Sequence, residues 1–133
     1  MRPLPTNKDE YTISPIGYVV NEHDESKPAP QIAATESRIV VFPEYELGLD
    51  GLDKSDRVMV LFYFSRAGEP EMLQHPRGDK SRPKRGVFAL HSPRRPNHIG
   101  VTVADIISIE GNVMHVRGLD ALNGTPVVDL KSA

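Results

Sequence analysis

Gly100–Leu119 reads G-V-T-V-A-D-I-I-S-I-E-G-N-V-M-H-V-R-G-L. Gly100–Glu110 is a long alternating run of strand-forming residues, and Gly111-Asn112 is a two-residue turn of the hairpin kind. Val113–Leu119 then pairs back. A long strand returning through so short a turn is antiparallel by construction, and the chain on either side repeats the pattern. Asp120–Gly124 makes another turn and Thr125–Lys131 a last strand. About seven strands with short connections suggest an antiparallel sheet curled into a barrel, since closure removes exposed edges.

Immediately upstream stands Arg85–Gly100, R-G-V-F-A-L-H-S-P-R-R-P-N-H-I-G. It begins as a strand, Arg85–His91, with Val87, Ala89 and His91 on one face and Phe88 and Leu90 on the other. Pro93 ends that strand, because proline has no amide proton for a ladder. Pro96-Asn97 then signals a turn. Two readings stand for Arg94–Asn97: polar groups held on strand ends to build a site, or a solvated turn that happens to be basic.

Further out, Ile13–Val20 reads as the first strand, with Pro15 suggesting an edge, and residues 1–11 as a loose end. Asn21–Ala34 is a long acidic loop. Glu36–Phe42 is a second strand, and Pro43–Leu52 a short helix whose Leu47, Leu49 and Leu52 are expected in the core. Asp56–Phe64, D-R-V-M-V-L-F-Y-F, is the most hydrophobic run and the expected central strand. At its end, Phe62-Tyr63-Phe64 offers either aromatic faces for a cationic ligand or core packing, the latter expected for two of the three rings. Ala67–Lys84 is a second long loop, mobile on composition.

With 133 residues, 38% hydrophobic and 26% charged, the chain describes one ordinary globular domain. There is no cysteine, hence no disulfide framework, no thiolate nucleophile and no zinc–thiolate site. The start, M-R-P-L-P-T-N-K-D-E, lacks an apolar signal run and nothing approaches a spanning length, so a cytoplasmic location is expected. Net charge is −2, yet Arg77, Lys80, Arg82, Lys84, Arg85, Arg94 and Arg95 cluster in a stretch whose one acid is Asp79. That suits a phosphate-bearing partner met at one place.

His23, His75, His91, His98 and His115 lack metal-ligand spacing, and no metal site is expected. Serine-hydrolase, phosphate-loop and dinucleotide signatures are absent as well. The pattern R-G-V-F-A-x-x-S-x-x-R-P-N-x-I-G of Arg85–Gly100 instead resembles the signature of the TrmO (TsaA-like) family. Gly118–Lys131, Pro15–Val19 and Tyr45–Leu52 resemble further segments of that family in the same order, covering nearly the whole chain.

The resemblance implies a single small all-β domain over 1–133, an S-adenosylmethionine-dependent tRNA methyltransferase and a homodimer. The implied reaction is methylation of N6 of threonylcarbamoyl-adenosine beside the anticodon. By the same likeness the donor is held by Pro30-Gln31, Ser65-Arg66, His91, Val103 and Asp120-Ala121-Leu122-Asn123. Arg95, Asn97 and Asp120 are expected at the reaction centre, and Arg77, Lys80, Arg82, Lys84 and Arg94 along the tRNA. Asp120 also reads as a plain turn-forming residue before Gly124. Two alternatives remain: a small-molecule or protein acceptor, or a barrel that binds RNA or a ligand without catalysis. The chain departs from the family pattern at His91 (usually Arg), His98 (usually Pro) and Asn123 (usually Asp). After Lys131 it reads Ser132-Ala133 where the family usually has P-Y, and the second domain of longer bacterial members is not expected in it.

Overall fold

The computed structural model describes residues 9–24, 31 and 35–133. Six strands close into an antiparallel barrel: β1 (Gly17–Val20), β2 (Glu36–Val41), β3 (Arg57–Tyr63), β6 (Ile99–Glu110), β7 (Val113–Arg117) and β8 (Pro126–Ser132). The order around the barrel is β1-β2-β7-β6-β3-β8. A separate two-stranded sheet joins β4 (Leu73–Gln74) to β5 (Arg85–Gly86). The all-β barrel expected from Gly100–Leu119 is therefore the fold.

β6 closes the barrel by serving two partners in succession. Its first half pairs with β3 from Tyr63↔Ile99 to Arg57↔Asp105, and its second half pairs with β7 from Asp105↔Arg117 to Glu110↔Val113. A register shift between Ile106 and Ser108 bends it where the partner changes. Inward side chains alternate as a half-buried strand requires: Val58, Val60 and Phe62 from β3, Ala104 and Ile106 from β6, Met114 and Val116 from β7. Gly17 and Gly100 are small out of necessity. A Cβ on Gly17 would stand 2.3 Å from the Val40 carbonyl oxygen, and one on Gly100 2.6 Å from the Phe64 ring.

Several segments differ from the sequence reading. β1 is shorter than Ile13–Val20; Ile16 still donates to Val127 O, but Tyr11 and Ile13 are exposed. Arg85–His91 is not one strand: after two residues the chain winds into a 3₁₀ turn, Val87–Ala89, closed by Leu90 N–H to Val87 O at 3.0 Å. Pro43–Leu49 is likewise 3₁₀, with three residues per turn. Leu49 at its end is buried and Leu52, beyond the Gly51 turn, packs against the core, whereas Leu47 is 86% exposed and not core. Ala67–Lys84 is no structureless loop, since it contains β4 and a 3₁₀ turn at Pro76–Gly78. Phe62 is buried and Phe64 packs on the core, while Tyr63 faces out, two rings of three as expected. No helix among the described residues is long and apolar enough to cross a membrane.

Candidate functional site

The strand order sends every connection of interest to one end of the barrel. β1, β3 and β7 finish there and β2, β6 and β8 start there, so 21–35, 64–98 and 118–125 all leave from that rim. The opposite rim carries the residues leading into β1, 42–56, Gly111-Asn112 and the last residues.

At the functional rim Arg66 joins two segments. Its Nη2 donates to Asn123 O at 3.1 Å and its Nη1 to Asp24 O. Asn123 spends all its polar groups here. Its amide N–H donates to His23 O (2.8 Å), its Oδ1 accepts from the Asn21 amide (3.0 Å), and its Nδ2 donates to Asp24 Oδ1 (3.0 Å). Asn21 completes the lattice, donating from Nδ2 to Ala121 O at 2.8 Å and to Ser37 Oγ at 3.1 Å. Ser65-Arg66 and Ala121–Asn123, both implied by the resemblance, are thereby brought together, and Asp24 with them. Next to them, half-buried Asp120 accepts from the Thr102 hydroxyl through Oδ1. A pocket of ≈ 490 Å³ is lined by Asn21 itself together with residues including His23, Thr35, Ser37, Arg38 and His115.

Asn123 accounts for one departure from the family pattern. A carboxylate there would face Asp24 at hydrogen-bond distance, whereas the amide donates to it. The negative charge missing at 123 is present at the same spot, carried by Asp24.

The turn before β6 is fixed by Arg95. Its Nη1 donates to Leu90 O at 2.8 Å, with Val87 O and Ser92 O each at 3.4 Å. That guanidinium therefore organises its own loop. Asn97 and His98 both adopt positive φ, 64° and 50°. The His98 ring bonds Pro93 O through Nδ1 at 2.9 Å, so that nitrogen carries the proton, and Phe64 N–H donates to His98 O at 2.8 Å. The turn is thus tied to the end of β3, one residue before Ser65. Arg94 is tied as well, to Glu71 by an ion pair at 3.0 Å and to Glu69 O at 3.1 Å.

Other expected residues lie apart. Val103 points outward on the barrel wall, on the opposite face of β6 from Thr102. His91 and Gln31 are exposed, and Pro30 lies outside the described residues. Arg77, Lys80, Arg82 and Lys84 sit on the link between β4 and β5. Asn21, Asp24 and Thr102 were not anticipated. Only Thr102, a polar residue at an inward position of an alternating strand, carried any signal. Among the described residues, no group of three or more His, Cys, Asp or Glu could hold a metal ion.

The chain is a closed six-stranded antiparallel barrel with a polar lattice on one rim, not a doubly wound nucleotide fold. Residues 20–132 match the tRNA-methyltransferase O N-terminal domain, and the chain belongs to that S-adenosylmethionine-dependent family. A curated relative from Methanothermobacter thermautotrophicus, named as a probable S-adenosyl-L-methionine-binding protein, is 38% identical over 92% of this chain and 89% of its own. The rat tRNA (adenine(37)-N6)-methyltransferase is 37% identical over 74% of this chain but only 23% of its own. A crystal structure of TrmO superposes with TM-score 0.74 at 28% identity, over 94% of this chain and 58% of that one. The chain thus spans a little over half of that solved enzyme and about a quarter of the rat protein.

The residues present fit the family's donor in kind. Asp120 keeps Oδ2 for a hydroxyl or ammonium after Thr102 has taken Oδ1. The backbone of Ala121–Asn123 is pinned from below by Asn21 and Arg66.

Proposed function

We propose that this chain is an S-adenosylmethionine-dependent methyltransferase of the cytoplasm acting on tRNA. Its acceptor is N6 of threonylcarbamoyl-adenosine beside the anticodon. The carrying observation is the rim lattice, in which Arg66 and Asn123 lock two of the segments that the family resemblance assigns to the donor. When bound, the donor supplies an already activated methyl on a sulfonium, so the chain's own task is positioning. Asp120 holds a donor hydroxyl or ammonium, and the pinned 121–123 backbone fixes the register. Arg95 and Asn97 act as positioning residues, shaping the turn that faces the acceptor.

Acceptor approach is electrostatic in this reading. Among the described residues Arg77, Lys80, Arg82 and Lys84 make no ion pair, unlike Arg94. The exposed apolar residues Tyr63, Val101 and Val103 on adjoining outer faces of β3 and β6 support a homodimer through that wall. Val103 would then reach a donor site across the interface. Light scattering at about twice the 14.7 kDa chain mass is the expected result.

The test is calorimetric and enzymatic. Demethylated donor at about a hundredfold excess over Kd should stabilise the protein by about 2.7 kcal/mol. Labelled methyl should pass to tRNA carrying threonylcarbamoyl-adenosine and not to tRNA lacking it. Arg82→Ala and Lys84→Ala should each reduce the log–log salt slope of tRNA binding by about 0.7–0.9. No thermal shift would remove the methyltransferase reading, and transfer without tRNA would favour a small-molecule acceptor.

A further inference from the structure

The connection between β3 and β6 presents an apolar cap that the methyl-transfer chemistry does not use. Phe88 is 80% exposed although its neighbour Val87 is 1% exposed. The 3₁₀ turn puts Val87 inward and the ring outward, and the Arg95 guanidinium beneath, bonded to Val87, Leu90 and Ser92 carbonyls, makes the base rigid. Beside it, the Met72 carbonyl accepts the Val87 N–H at 2.8 Å, and Met72 is 50% exposed. Leu73, 59% exposed, pairs with Gly86, which offers no side chain to cover it.

Cations surround this cap. Arg85 pairs with Gln74 at the next position of the small sheet, and Arg77, Lys80, Arg82 and Lys84 occupy the ten-residue link from His75 to Lys84. The link folds on itself through His75 Nδ1 to Arg82 O at 2.8 Å. Its one carboxylate, Asp79, is engaged by the Ser81 hydroxyl and amide rather than by a cation. None of these five cations is ion-paired among the described residues.

We propose that Phe88, flanked by Met72 and Leu73, is a stacking platform for an unpaired base of a single-stranded nucleic-acid segment. The Arg77–Arg85 cations hold the phosphates on either side. An exposed, preorganised aromatic face within unpaired positive charge is the chemistry by which single strands are bound. A second copy of the chain fits poorly, because a two-fold contact here would set five cations against five. The cap also belongs to the functional rim. Gln74 Nε2 donates to Arg94 O at 2.8 Å, and the 92–98 turn is tied to β3 just before Ser65-Arg66. The inference rests on the tRNA reading and deepens it: a base near the methylated adenosine is splayed onto Phe88 while the target enters the site.

The test uses the full chain and a fluorescent anticodon stem-loop RNA, with a blunt duplex of the same length as control. Phe88→Ala should weaken stem-loop binding roughly 5- to 150-fold, the range that base–aromatic stacking gives. The log–log salt slope should not change, since no phosphate contact is lost. Phe88→Leu, apolar but without a π-face, should fall with Ala, and Phe88→Trp should retain parental affinity. Duplex binding should be nearly indifferent to all three. Because the ring is exposed, melting temperatures should match the parent, which separates lost contact from lost fold. Parental affinity in Phe88→Ala would overturn the platform and leave the tRNA reading standing. A parent that binds neither RNA would overturn both. A fall in light-scattering mass with Phe88→Ala would assign the cap to a second copy instead.

Discussion

Replacing Asn123 by the aspartate more usual in the family should harm this particular chain. The amide donates to Asp24 Oδ1 at 3.0 Å. Two full charges at that separation repel by about 1.4 kcal/mol at the dielectric of water, and by about 5.5 at an effective value near 20. Asp24 is exposed and Asn123 half-buried, so the lower part of that interval applies, with about 1 kcal/mol added for the lost hydrogen bond. Asn123→Asp should therefore cost about 2 kcal/mol at neutral pH, a midpoint shift of roughly 1 M in urea. The bond from the Asn21 amide survives, since a carboxylate accepts as well as an amide oxygen.

The sign with pH follows from linkage. Repulsion makes the folded variant bind protons more readily than the unfolded one, so its deficit is complete above the carboxylate range and fades as the pH falls through it. About 1 M salt should also shrink it. Asp24→Asn in the Asn123→Asp background should restore stability, since the side-chain amide introduced at 24 can donate to the new carboxylate at 123. A double-mutant cycle would then report at least about 1 kcal/mol of coupling. Asn123→Asp as stable as the parent at every pH and salt would refute the pairing of Asp24 with Asn123, and with it the claim that Asp24 supplies the missing charge.

Gly100→Ala should destabilise by about 1–3 kcal/mol through overpacking, because the new methyl would meet Phe64 at 2.6 Å and Phe62 at 2.8 Å; equal urea midpoints would count against the ring packing. His98→Pro, though it restores the usual family residue, should cost about 3 kcal/mol or more. It needs negative φ where His98 has 50°, and it removes the bonds to Arg95 O and Pro93 O; full stability would mean a differently wound turn. Asp79 is held below its ordinary 3.8 chiefly by the Ser81 hydroxyl, then by the Ser81 amide. The stabilisation this brings is complete above that value and lost as the pH falls through the lowered one. Ser81→Ala should return the carboxyl toward 3.8 in an NMR titration, and an unchanged titration would deny the bond.

The barrel was legible in the sequence wherever one strand reads its own faces. The run from Gly100 to Glu110 and the tight Gly111-Asn112 turn fix an antiparallel hairpin through local alternation, and burial of Ala104, Ile106, Met114 and Val116 follows it. Alternation misled at Arg85–His91, where Val87 and Phe88 look like an ordinary inside–outside pair. The fate of that segment is decided by a guanidinium at position 95 drawing three carbonyls to one point. Leu47 failed for a related reason. Position in the turn, not hydrophobicity, chooses which leucines are buried: Leu49 closes the 3₁₀ segment facing the core, and Leu52 reaches the core only after the chain reverses at Gly51.

The site was legible only as segments, because its bonds join residues far apart in the chain. Arg66 reaches Asn123, and Asn21 reaches Ala121, across separations of 57 and 100 residues. Such pairs leave no local trace, and it is the strand order that makes them neighbours by sending the ends of β1, β3 and β7 to one rim. A substitution on that rim consequently has to be judged with its partners. Asparagine at 123 looks like a lost carboxylate when read along the chain. Read across the rim, it is the donor that lets Asp24 bring a carboxylate to the same place without like charges meeting. A relative carrying aspartate at the equivalent of 123 should therefore lack an acid at the equivalent of 24, or else hold a cation on the two carboxylates themselves, since Arg66 here is spent on the two backbone carbonyls.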